Sequence, residues 1–221
     1  MAPMSRSSRN TLNERTSLHF PGDTLFARLA RTVCRAGCLP RKELYEAWET
    51  ARRLRRVMRG GPIVELAAGH GLLSMILILL DDTSPAATCV DIHQPDSFGK
   101  LLAVMREQWP RLADRVHYRE GLLEEAPIAP GSLVVSVHAC GVLTDRVLDR
   151  AIKGGHRVAV LPCCHDLDRC DQGNLEGWLD GPLAVDATRV ARLRVAGYRV
   201  RTQTIPAEIT PKNRLLLGEP V

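Results

Sequence analysis

The spacing of apolar positions changes character near residue 60. Before it the period is helical: residues 23–37 (DTLFARLARTVCRAG) place Leu25, Phe26, Leu29, Ala30 and Val33 on one face, with Asp23 positioned to cap the start and Gly37 to end it. A second helix is predicted from about Pro40 to Arg59, its apolar stripe formed by Leu44, Trp48, Ala51, Leu54 and Val57 or Met58. After Gly60-Gly61, short apolar runs alternate with helical ones. Strands are expected at 62–66, 87–91, 115–119, 133–138 and 156–162, and helices at 71–80, 97–109, 143–153 and near 187–197. Two last strands, YRVRTQTIP and NRLLLGE, have no helix between them. This order predicts an α/β fold: a mostly parallel sheet with helices on both faces, closed by an antiparallel hairpin and preceded by a helical extension. The expected divisions are a mobile tail over residues 1–22, a helical segment over 23–60 and the sheet domain over 61–221.

Composition bounds this picture without changing it. A chain of 221 residues that is 45% hydrophobic has the size of one ordinary domain with a substantial core. The one long apolar stretch, Leu72 to Leu80, is too short to cross a bilayer, so no membrane partner is expected. Residues 1–17 are polar and lack the apolar centre of a secretory leader, which points to a cytoplasmic protein. Seven cysteines, an odd count, are then expected as reduced thiols. Cys34 and Cys38 read as packing thiols.

Charge divides the chain. The formal net charge is +5, but residues 1–60 hold thirteen Lys/Arg against five Asp/Glu, leaving seventeen against twenty for the remainder. Arg52, Arg53, Arg55, Arg56 and Arg59 cluster at the end of the second helix. Cations there suit the helix C-terminus as a solvated face; as a phosphate-binding patch they make RNA an expected partner, bound less tightly as salt rises.

The candidate chemistry begins at PIVELAAGHGLLSMILILLDDTSPAATCVD, residues 62–91. A strand ends in Glu65, a small-residue turn follows (Ala67, Ala68, Gly69, His70, Gly71), then an apolar helix and a second strand ending in Asp91-Ile92. Such a turn lets backbone approach a ligand, and a carboxylate at the end of the next strand can grip ribose hydroxyls. The turn lacks G-x-G-x-x-G, and Gly71-Leu72-Leu73 is not the Gly-Lys-Ser/Thr of a phosphate loop. An acid ahead of the turn repels pyrophosphate but suits an ammonium and a sulfonium. S-adenosylmethionine therefore fits better than NAD or ATP.

With that motif, the segments VDIHQP, VVSVHACGVLTD and VAVLPCCHDL resemble a branch of the class I methyltransferases. This branch, the methyltransferase-like proteins, is related to the tRNA 2′-O-methyltransferase family. The likeness covers about residues 60–167. It implies the Rossmann-like class I sheet and a set of cofactor positions: Glu65 near the methionine amino group, Ala67, Gly69, His70 and Gly71 along the methionine, Asp91 and Ile92 at the ribose, Gly121 and Leu122 beside the adenine, and His138 at the transferred methyl. Ala67 departs from the family's first glycine, and no Asp follows the third strand, where Glu120 is the substitute.

In that fold the ends of the fourth and fifth strands are neighbours, which brings together His138, Cys140, Cys163, Cys164 and His165. His138 or His165, the latter oriented by Asp166, can take a proton from an attacking nucleophile. The same cysteines with Cys170 can hold zinc, but adjacent cysteines chelate one ion poorly and C-x2-C spacing is missing, so no metal ligand is assigned. Buried small thiols and structural histidines are the third reading. The Asp/Asn-Pro-Pro-aromatic segment of exocyclic N-methylating enzymes is absent after the fourth strand. Pro162-Cys163 is a weak match to carbon-methylating enzymes. Trp178 in the loop after the fifth strand reads as an anchor or a stacking surface, and Lys212 and Arg214 as phosphate contacts or solvated cations. The expectation is an S-adenosylmethionine-dependent methyltransferase acting on RNA, tRNA first; a protein or small-molecule acceptor, and a non-catalytic binding module, are the alternatives.

Overall fold

The computed structural model describes residues 5–221; the first four residues of the expected tail lie outside them. Two helices, α1 (Leu25–Ala36) and α2 (Arg41–Leu54), precede β1 (Ile63–Leu66), α3 (Leu72–Leu80), β2 (Ala87–Asp91), α4 (Asp96–Gln108), β3 (Val116–Glu120), β4 (Leu133–Val137), α5 (Val142–Gly154), β5 (Arg157–Leu161), α6 (Gly181–Val195), β6 (Tyr198–Thr204) and β7 (Arg214–Pro220). The seven strands form one sheet in the order β3-β2-β1-β4-β5-β7-β6. The five strands from β3 to β5 are parallel, while β7 runs antiparallel to both β5 and β6. The closing hairpin is thus folded inward, its second strand lying between β5 and β6.

Alternation along the strands supplies two cores. Ile63, Leu133, Val135, Ala159 and Leu161 pack with the helices α1 to α4, whereas Val64, Val134, Val158 and Val160 pack with Leu148 and Ala151 of α5 and Leu193 of α6. Eight of the nine residues of α3 are buried, because the helix lies between the sheet on one side and α2 and α4 on the others. The strand order reverses between β1 and β4, so the carboxyl ends of β1, β2 and β4 open a crevice at that edge.

Several boundaries differ from the sequence pattern, each for a local reason. Thr24 rather than Asp23 caps α1, its hydroxyl accepting from Ala27 N at 3.1 Å. Part of the expected mobile tail is packed instead: Leu12 and Phe20 are buried, and Leu12 N donates to Leu39 O at 2.8 Å. α6 begins at Gly181, six residues earlier than periodicity suggests, because the Asp180 carboxylate caps Leu183 N and Pro182 sits in the first turn. α2 stops at Leu54, not Arg59, because Arg55 turns inward with its side chain only 3% exposed.

That turn corrects the reading of the arginine cluster as one surface patch. The Arg55 guanidinium donates to Leu77 O, Met58 O and Ser84 Oγ and pairs with Asp81 at 3.0 Å. Arg52 and Arg53 both engage Glu49, and Arg53 also donates to Thr204 O. Arg56 and Arg59 remain exposed. No helix among the described residues is long and apolar enough to cross a membrane.

Candidate active site

The turn after β1 holds three left-handed residues within five: Ala67 (φ 52°), Gly69 (φ 50°) and Gly71 (φ 67°). Ala67 adopts this conformation against the steric preference of an L residue. At Gly71 a Cβ would lie 2.8 Å from Cys89 Sγ and 3.0 Å from the Phe98 ring, so the start of α3 packs against β2 only as glycine. At Gly69 a Cβ would meet nothing within 4 Å, which leaves one side of the backbone open to a ligand. Asp91 ties the turn to β2, Oδ2 accepting from Gly69 N at 2.9 Å and Oδ1 from Ile92 N at 2.8 Å. Tyr118 Oη lies 3.1 Å from Gly69 O and steadies it from β3. Gly121 N donates to Asp91 O at 2.9 Å, joining the ends of β2 and β3, where Ile92 (61% exposed) and Leu122 (52%) expose apolar surface. Glu120 accepts from Gln94 N at 2.7 Å and orders the loop after β2.

Across the turn, α2 closes the site with two carboxylates that the sequence pattern did not single out. His70 Nδ1 accepts from Leu72 N at 3.2 Å, which leaves Nε2–H to donate to Glu43 at 3.0 Å. His138, at the end of β4, holds a strained φ of 74° and places Nε2 3.3 Å from Glu46 Oε2. Burial pushes the His138 pKa down to about 4 against the opposing charge of Glu43, so the imidazole is neutral at neutral pH. Burial likewise pushes the Glu46 carboxyl up, opposed by Lys42, whose ammonium lies 3.1 Å away. Glu65 is buried, its pKa raised by burial, and it accepts from Ser74 N at 2.9 Å in the first turn of α3. Between Glu43, Glu65, His70 and His138 a space of about 20 Å³ remains, room for roughly one water. Glu43 and Glu46, three residues apart in a helix otherwise rich in arginine, carry no sequence signal beyond that of a solvated face.

The ends of β4 and β5 bring together some of the expected residues and separate others. Cys140 and Cys163 Sγ lie 3.2 Å apart and Cys163 and Cys164 Sγ 3.7 Å apart. Burial and the neighbouring thiols push the Cys163 thiol up. For Cys164 burial also raises the pKa, but hydrogen bonds from Cys140 and Cys163 and the Lys212 ammonium outweigh it and the net direction is down. His165 departs from the expected arrangement: its partner is Asp186 of α6 at 2.8 Å, not Asp166. Asp186 also accepts from Arg214 Nε at 2.6 Å and Arg189 Nη1 at 3.2 Å, while Arg189 holds Asp145 and Gly141 O. This lattice ties α5, α6 and β7 together and leaves the His165 side chain almost wholly buried. Cys170 is buried beside Arg189, away from the other three thiols. Trp178 is 87% exposed, so its ring anchors nothing in the chain.

S-adenosylmethionine fits the donor set in this crevice. Each Asp91 oxygen accepts one backbone hydrogen bond and keeps a second lone pair for a ribose hydroxyl. Ile92 and Leu122 offer apolar contact to a purine. The carboxylates of Glu43, Glu46 and Glu65 suit a cationic ligand end, whose entry requires the contacts of α2 with His70 and His138 to shift, since the space beneath α2 is so small.

Known proteins bear on the same crevice. A family model described as a methyltransferase domain matches residues 42–169. A curated relative from Drosophila melanogaster, the glutathione S-transferase C-terminal domain-containing protein homolog, is 24% identical over 85% of this chain, and the match spans 39% of that protein. Solved structures share the fold at low identity. An O-methyltransferase family protein from Burkholderia thailandensis (16% identity, TM-score 0.52) is matched over 96% of this chain and 65% of its own. The S-adenosylmethionine-dependent methyltransferase SibL (20%, TM-score 0.53) is matched over 93% and 65%. With more than half of its residues under that family model, the chain belongs to the methyltransferase-domain family.

Proposed function

We propose that the chain transfers a methyl group from S-adenosylmethionine to RNA, tRNA first, with His138 as general base. The observation that carries the reading is the crevice at the ends of β1, β2 and β4, where Asp91 holds the open turn at Gly69 and α2 docks over His70 and His138. The cofactor supplies an electrophilic methyl on a sulfonium. Asp91 holds the ribose hydroxyls, Ile92 and Leu122 flank the base, and Gly69 lets the ligand pass close to backbone. Gly71 and Ala67 shape the turn, and Glu65 holds the first turn of α3 through Ser74 N. His138 accepts the proton that an acceptor hydroxyl or N–H must shed as it attacks, and the Glu46 carboxylate stands 3.3 Å from its Nε2. His165, engaged by Asp186, supports the wall of the site.

RNA is favoured as acceptor by the HACG and PCCH segments, which resemble the branch related to tRNA 2′-O-methyltransferases. The exposed Arg56, Arg59 and Trp178 support it, as cations for phosphate and a ring for base stacking. A small-molecule acceptor is the second reading, favoured by an open, mainly apolar groove of about 570 Å³ between α6 and the β6–β7 edge, reaching Pro162.

Two measurements test the proposal. Asp91→Ala is expected to weaken S-adenosylmethionine binding in calorimetry by at least about tenfold, the loss of a charged hydrogen-bond acceptor. Equal affinity in variant and wild type removes Asp91 from the site. Incubating separate RNA, protein and metabolite fractions with methyl-labelled cofactor is expected to label RNA; label in protein or metabolites alone overturns the RNA reading.

A further inference from the structure

We infer that Cys140, Cys163 and Cys164 form a three-thiolate site for a single zinc ion, with its fourth coordination position open to solvent. The argument is geometric. Their sulfur atoms all lie within 4.8 Å of one another, although one comes from the β4 end and two from the β5 end. Tetrahedral zinc with Zn–S bonds of about 2.3 Å separates its sulfurs by roughly 3.8 Å. The observed separations of 3.2 and 3.7 Å fall just short of that value, close enough for small side-chain rotations to seat the ion. The adjacent pair Cys163-Cys164, a poor chelate in an extended strand, converges here because the chain has already left β5, which ends at Leu161.

The backbone fixes the same arrangement. Gly141 N donates to Cys164 O at 3.2 Å, clamping the two segments against each other. Cys140 and Cys164 are exposed and Cys163 half-buried, so an ion reaches the site without opening the core. The other four cysteines stand elsewhere, Cys34, Cys89 and Cys170 being buried. Three thiolates and Zn²⁺ leave one net negative charge, which the neighbouring Lys212 ammonium balances. Three protein ligands with an open fourth position is the arrangement of catalytic rather than structural zinc. Cys140 follows His138 by two residues at the end of β4. Zinc binding here stands independently of methyl transfer.

The test uses the full chain, reduced and stripped of metal with a chelator, then titrated with Zn²⁺ against a chromophoric competitor and separately with Co²⁺. One ion per chain is expected, with an intense thiolate-to-cobalt absorption band. Cys140→Ala and Cys163→Ala are each expected to weaken zinc binding by roughly a hundredfold or more, the share of one ligand in a thiolate site. Cys38→Ala is the control and retains wild-type affinity. Because Cys140 is exposed, its variant leaves the core intact, and a thermal melt of each variant checks this. Substoichiometric zinc, a cobalt spectrum without the thiolate band, or unchanged affinity in Cys140→Ala overturns the proposal. A Cys140–Cys163 disulfide that persists in the reduced, zinc-loaded protein does so as well.

Discussion

Asp81→Ala is expected to lower the free energy of unfolding by about 3–5 kcal/mol, because it leaves the buried Arg55 guanidinium without its counter-charge. Both side chains are almost fully inaccessible and 3.0 Å apart. Burial, with the charges of Arg157 and Arg59, pushes the Arg55 pKa down to about 10 against the opposing charge of Asp81. Burial also opposes the charge on Asp81, yet hydrogen bonds from Thr83 and Gly60 N and the charge of Arg55 hold that carboxyl well below the usual carboxylate range. The sign of the pH effect follows. A depressed folded-state pKa contributes stability that is complete above the unfolded value, about 3.9, and fades as pH falls below it. Wild type should therefore lose stability in acid more steeply than Asp81→Ala. The pair also joins the end of α2 to the end of α3, so its loss loosens the helix that carries Glu43 and Glu46. Urea unfolding of Asp81→Ala, Arg55→Met and the double variant Arg55→Met/Asp81→Leu checks the account. The double variant is expected to recover most of the loss, since an apolar pair replaces two buried charges. A cost below about 1 kcal/mol for Asp81→Ala, the value of an exposed pair, would show that the two charges are hydrated in solution.

The same arginine illustrates where sequence reading succeeds and where it stops. The sheet was legible because each βα unit carries its own period: VVSV and VAVL alternate between two cores, and LLSMILILL is apolar all round because α3 is covered on every side. The Glu65 to Asp91 unit was legible because the turn and the carboxylate belong to one βαβ element and need no knowledge of distant packing. Arg55 was not, since five arginines in eight residues look alike until tertiary structure buries one of them. Glu43 and Glu46 were missed for the same reason; what makes them part of the site is the docking of α2 over His70 and His138. Asp166 was expected beside His165 because it is next in sequence, but residues following a strand point in different directions, and the partner comes from α6, twenty-one residues on. The early start of α6 had a local signal in Asp180-Gly181-Pro182, a cap followed by a first-turn proline, which apolar periodicity does not register.

His138→Ala is expected to reduce turnover by about 10²–10⁴-fold while leaving S-adenosylmethionine affinity close to wild type, the range for loss of a general base. The side chain follows the carboxyl end of β4 with Nε2 beside Glu46, whereas Asp91, Ile92 and Leu122 stand at the ends of β2 and β3. Its removal therefore touches proton acceptance and not the proposed ribose and base contacts. The left-handed backbone at His138 complicates the alanine variant, because Ala pays steric strain at a φ of 74°. His138→Asn separates the two effects: asparagine tolerates that conformation better but has no basic nitrogen to accept a proton. If His138 is the base, both variants lose turnover to a similar extent and keep cofactor binding in calorimetry. If His138 only holds the turn after β4, Asn retains most of the activity while Ala loses both turnover and cofactor affinity. The comparison of Ala with Asn thus reports on chemistry at the imidazole, and the calorimetry on the backbone that presents it.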